Sequence, residues 1–129
     1  QLLETHFLFT FLAAVRAGDE VLVFGMGDGR VLIDGRSLVL DAGDDNAPDY
    51  CAYRVFSSSP SSPVTHFHGA ASRVALMTDG LSSLPSDAVN ELCSEGLNRN
   101  PLTLQRRLNV LASRERLHDD ATIAVLGGA

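Results

Sequence analysis

The stretch that decides the fold is RVALMTDGLSSL, Arg73 to Leu84. Its first half, Val74, Ala75, Leu76 and Met77, is apolar and rich in strand formers, which suits a buried β-strand. The chain then delivers Asp79 followed at once by Gly80. An acid at the end of a buried strand is costly to desolvate unless something holds it, and a metal ion is one such holder. Gly80 lets the backbone turn sharply beneath it. The same dipeptide also makes plain turns, so the stretch needs support from elsewhere in the chain.

That support lies near the C-terminus. In LHDDATIAVLGG, starting at Leu117, Asp119 and Asp120 sit just ahead of a second strand expected over Ala121 to Leu126. Two strands with carboxylates at one end of each would bring Asp79 and Asp119 together at a sheet edge. Hard oxygen ligands that keep several waters suit Mg²⁺ or Mn²⁺.

ALMTDGL and DDATIAVL, in this order with helical sequence between them, resemble the C-terminal motifs of the metal-dependent protein phosphatase 2C family. GMGDGRV, Gly25 to Val31, resembles that family's Gly-Asp-Ser-Arg motif with Gly29 in place of serine, and NAPDYCAYRVF is similar to its bacterial branch. The resemblance implies an α+β fold, an antiparallel β-sandwich flanked by helices, and hydrolysis of phosphoserine or phosphothreonine in a phosphoprotein by metal-activated water. It makes Asp79 and Asp119 ligands of Mg²⁺ or Mn²⁺, and Asp28 the ligand of a weaker accessory ion. Gly27, Gly80 and Asp120 play supporting parts, Asp120 standing where the family usually has asparagine. Ser83 falls where some members carry a further acid.

The family's early acid, its metal-bridging Asp-Gly-x-Gly loop and its phosphate-binding arginine have no match here. Asp28-Gly-Arg-Val31, Asp34-Gly-Arg-Ser37 and Asp79-Gly-Leu-Ser82 all fail the loop pattern. The chain also begins with Gln1 and runs directly into β-rich sequence. Residues 1–129 are therefore expected to be the C-terminal part of a single phosphatase 2C-like domain, its sandwich incomplete, and inactive without the missing N-terminal half. Strands without their neighbours would expose edges through which two copies could pair. The alternatives are a non-catalytic pseudophosphatase and a β-rich binding or regulatory module.

Composition bounds these readings. The 129 residues suffice for one domain with a real core, and 45% hydrophobic with 20% charged residues is an ordinary globular balance. A net charge of -6 argues against a nucleic-acid surface. No apolar run approaches a membrane span and no leader opens the chain, so a cytoplasmic protein is expected. All 10 basic residues are arginines. Cys51 and Cys93, far apart, read as two reduced buried thiols.

The remaining sequence reads as strands and then helices. Thr5 to Val15, Glu20 to Met26, Arg30 to Ile33 and Ser37 to Leu40 are expected strands. Asp28-Gly29 and Asp34-Gly35 are dipeptides that two-residue hairpins favour, which predicts a four-stranded antiparallel meander. A strand, not a helix, follows the glycines of Gly25 to Gly29, so a dinucleotide-binding loop is excluded. Loops are expected at Asp41 to Asp49 and Ser57 to Pro63, with a short strand at Cys51 to Phe56. His66 and His68 read as the polar face of an edge strand, with a two-histidine metal site as the other reading. Ser86 is expected to cap a helix with Val89, Leu92, Cys93 and Leu97 on its apolar stripe. Asn100-Pro101 opens a second helix that buries Leu104, Leu108 and Leu111. Arg106, Arg107, Arg114 and Arg116 are read as its solvated surface.

Overall fold

The structure, a computed structural model, describes residues 9–40, 50, 62–94, 100–114, 116–117 and 119–127. In chain order its elements are β1 (Phe11–Ala17), β2 (Glu20–Met26), β3 (Gly29–Ile33), β4 (Arg36–Leu40), β5 (Val64–Ala70), β6 (Arg73–Met77), a single 3-10 turn (Asp79–Leu81), α1 (Ser86–Leu92), α2 (Pro101–Ser113) and β7 (Ile123–Gly127). The fold is α+β, with one sheet in the order β1-β2-β5 and another in the order β4-β3-β6-β7. The chain divides into two compact units, Gln1–Asp28 with Leu40–Ala71 and Gly29–Val39 with Ser72–Ala129.

In the first unit β1 and β2 pair antiparallel from Phe11 opposite Met26 to Ala17 opposite Glu20. Gly18, at φ 61°, makes the tight turn between them. β5 pairs antiparallel with the other side of β2, and its register slips between Val23 and Phe24, leaving His66 as the extra residue of a bulge. Val21 and Val23 are wholly buried. Phe11 and Phe24 meet edge to face, their ring centroids 6.3 Å apart.

In the second unit β6 is a central strand, antiparallel to β3 on one side and to β7 on the other. Val74, Ala75 and Met77 are buried, as its composition predicts. The Asp34-Gly35 hairpin forms, with φ 45° and 84° at its two residues. Asp34 also ties the hairpin to the start of β6, its carboxylate accepting from the Ser72 N–H at 3.0 Å and the Arg73 N–H at 2.8 Å. The core gathers Leu32, Ala75, Met77, Leu81, Leu84, Val89, Leu92, Cys93 and Leu108, with Leu104 and Leu111 of α2 packed against it. Asn100 caps α2 by accepting from the Leu102 N–H at 3.0 Å, and Pro101 fills the first turn. Arg107 meets Glu91 of α1 at 2.9 Å, an exposed pair worth at most about 1 kcal/mol.

Two expectations are corrected. The first four strands are not a meander, because β2 is already paired on both sides by β1 and β5, and β3 on both sides by β4 and β6. Asp28-Gly29 therefore carries the chain from one sheet to the other instead of closing a hairpin. Gly27 at φ 97° and Gly29 at φ 132° supply the conformations that this crossing uses. Second, Ser86 is the first residue of α1 and not its cap, and Pro85 holds the cap position with no side-chain bond. Element ends also move: β1 runs to Ala17 and β7 spans Ile123–Gly127. The segments expected at 5–8, 41–49, 51–56 and 57–61, along with Cys51 and Leu97, lie outside the described residues.

Ser86 is occupied by Arg30, a 3% exposed guanidinium. Nε donates to Ser37 Oγ of β4 at 2.6 Å, and Nη2 to Ser86 Oγ at 3.0 Å. Nη1 donates to the Leu84 carbonyl at 2.6 Å and lies 3.4 Å from that of Leu81. Burial lowers its pKa, an effect that Cys93 partly opposes. One cation thus joins a hairpin, the turn after β6 and the start of α1. Arg30→Met leaves these acceptors without a donor and should cost about 2–4 kcal/mol. Arg30→Lys, which lacks the planar fork, should recover only part of it. Urea unfolding midpoints measure both.

Cys93 is 1% exposed, and its pKa rises from 9.0 to about 11 through burial, against the pull of Arg73 and Arg30. The unfolded thiol loses its proton first as pH rises. The stability held by the neutral buried thiol is therefore full below about pH 9 and declines from there to about pH 11, by at most about 3 kcal/mol. Comparing the pH dependence of unfolding in the natural chain and in Cys93→Ala should show this decline only in the former.

Candidate metal-binding end of the four-stranded sheet

At the end of β6 the ladder changes hands. Met77 pairs with Ile123, and one step further the Thr78 N–H donates to the Thr122 carbonyl at 3.1 Å. A regular pair would return a bond from the Thr122 N–H to the Thr78 carbonyl. That carbonyl instead accepts from the Leu81 N–H at 3.2 Å, opening the 3-10 turn. The Thr122 N–H turns to the Thr78 side chain, donating to Oγ1 at 2.9 Å, and Oγ1 lies 3.4 Å from the Asp120 carbonyl that accepts its proton.

This exchange places the Asp79 turn beside the Asp119-Asp120 segment. Leu81, wholly buried, anchors the turn, and Asp79 stands exposed at its start. Gly80 is buried beneath Asp119 and Asp120. A Cβ there would overlap the Asp120 carbonyl oxygen and come within 2.9 Å of the Asp119 one. Glycine is needed here for close backbone approach, where the sequence suggested a sharp turn. Asp119 is exposed and uses Oδ1 to accept from the Asp120 N–H at 2.7 Å, which orients its carboxylate. Asp120 is exposed as well.

Asp79 and Asp119 are thus carried by touching backbone segments of one unit. Asp28 and Gly27 belong to the other unit. Asp28 is half-buried in the β2–β3 connection, and a Cβ on Gly27 would overlap the Thr10 side chain. Exposed carboxylates on an anchored turn and on a strand lead-in suit a hard divalent cation that keeps water in its shell. Among the described residues, no group of three His, Cys, Asp or Glu forms a ligand cluster. His68 lies 3.6 Å from Glu20, both exposed. The His66 Nε2 is buried without a hydrogen-bond partner, and burial lowers that group's pKa. Both histidines lie on β5, at the edge of the β1-β2-β5 sheet as described.

Sequence reasoning passed over Thr78 and Arg30. Thr78 was signalled only by its place between strand and acid. Arg30 stood at the arginine of the Gly-Asp-Ser-Arg resemblance and inside a strand of buried residues, but no role was drawn from either sign.

Gly80→Ala should cost about 1–3 kcal/mol, because the clash is with backbone and not with a movable side chain. Gly127→Ala, whose Cβ would meet nothing within 4 Å, should be close to neutral. Thermal unfolding of the two variants checks this, and amide shifts at Asp119 and Asp120 should move only in the first.

Comparison with known proteins gives one result. The family model described as protein phosphatase 2C matches residues 4–120. No curated protein and no solved structure gives a significant match.

Proposed function

From the premise that this chain belongs to the protein phosphatase 2C family, we propose that it supplies the Asp79–Asp119 part of a metal-dependent phosphoprotein phosphatase site. The observation that carries the reading is the seating of the Asp79-Gly80 turn against the Asp119-Asp120 backbone. Asp79 and Asp119 would hold Mg²⁺ or Mn²⁺ through carboxylate oxygens, and Asp28 would serve an accessory ion. Such an ion, when bound, lowers the pKa of its water and offsets charge on the phosphate. The protein's own share is positional. Leu81 and Arg30 hold the turn, and Asp119 is oriented by the Asp120 N–H, so both acids are carried on fixed backbone.

The fold proposed for the whole domain is the family's sandwich of two antiparallel sheets, with phosphoserine or phosphothreonine proteins as substrates and a cytoplasmic setting. The 129 residues contain no Asp-Gly-x-Gly sequence. The bridging acid would then have to come from further chain of the same domain, and these residues alone should hydrolyse nothing. The same observation favours a second reading, a pseudophosphatase that binds partners without chemistry.

Two measurements test the proposal. Calorimetry should find weak Mn²⁺ binding that falls at least about tenfold in Asp79→Asn. Binding that survives the substitution would place the ions elsewhere. With p-nitrophenyl phosphate and Mn²⁺ the chain should show no turnover, and turnover abolished by Asp79→Ala would overturn the view that further acids are required. A longer chain carrying the bridging acid should be active under the phosphatase reading and inactive under the pseudophosphatase one.

A further inference from the structure

We propose that Thr78 is a positioning residue for the metal-binding pair, its hydroxyl setting the distance between the Asp79 turn and the Asp119-Asp120 segment. This rests on the metal-site reading above and assigns a role to a residue that holds no metal itself.

Asp79 can leave the sheet in a 3-10 turn only if the Thr78 carbonyl turns away to accept from the Leu81 N–H. That costs the β6–β7 ladder one acceptor, opposite Thr122. The Thr78 Oγ1 replaces it, accepting from the Thr122 N–H at 2.9 Å while donating toward the Asp120 carbonyl at 3.4 Å. A hydroxyl can do both because it is donor and acceptor at once. It bonds to the residue on either side of Ala121, so it fixes the path of the lead-in that brings Asp119 over Gly80. The opposite flank of the turn is held separately, by Arg30 at the Leu81 and Leu84 carbonyls. Thr78 therefore governs how the two acid-bearing segments meet, and Arg30 governs whether the turn is built. Thr78 is exposed, so changing it leaves the core packing alone.

Valine keeps the shape of threonine and removes both bonds, whereas serine keeps the hydroxyl. In the metal-free chain, hydrogen exchange at the Thr122 amide should quicken in Thr78→Val and stay slow in Thr78→Ser. Mn²⁺ affinity should fall about tenfold in Thr78→Val and return close to the natural value in Thr78→Ser. Asp79→Asn serves as the control for the metal site. If Asp79→Asn loses Mn²⁺ while folded Thr78→Val binds it as the natural chain does, Thr78 is merely structural and the inference is overturned with the metal reading intact. Mn²⁺ binding that is unaffected by Asp79→Asn removes the metal reading and the inference together.

Discussion

A buried guanidinium must find acceptors for its donors, and Arg30 finds them on three elements at once. Its partners are Ser37 on β4, the Leu84 carbonyl (with that of Leu81 further off) after the 3-10 turn, and Ser86 at the first residue of α1. None of these is a carboxylate. The cation is held by neutral oxygens, so its demand is geometric: the turn after β6 has to present its carbonyls inward. A turn with its carbonyls held inward and Leu81 buried leaves Asp79 at its exposed start.

The other flank of the turn depends on an exchange of acceptors. β6 stops pairing in the regular manner at Thr78, whose carbonyl serves the turn and whose hydroxyl serves β7. Gly80 then admits the Asp119-Asp120 backbone to a distance that any side chain would block. Three residues of different chemistry thus do separate work around one short turn. Arginine supplies donors, threonine a donor and acceptor in one atom, and glycine the absence of a Cβ.

Much of this unit was legible in the amino-acid order. The apolar run before Asp79, the Asn100-Pro101 start of α2, and the Leu104, Leu108, Leu111 stripe are local patterns, and local patterns need no partner to be read. The two Asp-Gly dipeptides show where that stops. Asp34-Gly35 closes a hairpin and Asp28-Gly29 crosses between sheets, although both offer the same backbone freedom. Dihedral preference says where a chain can turn, and strand pairing decides what it turns toward. Ser86 teaches the same lesson: its hydroxyl suits a helix cap, and a buried arginine 56 positions away claims it instead.

By itself the sequence determined most of the described elements and the acids at the strand ends, because composition and spacing along the chain carry those directly, and its motifs carried the family resemblance. Tertiary structure alone decided the division of the strands between two sheets, the burial of Arg30 and the use of Thr78 as a stand-in for its own carbonyl. These depend on hydrogen-bond donors and acceptors meeting across long separations, 44 positions between Thr78 and Thr122 and 54 between Arg30 and Leu84. Which distant partner satisfies a given polar group is set only when the whole ladder and core have closed, since a buried donor takes whatever acceptor the finished packing leaves within reach.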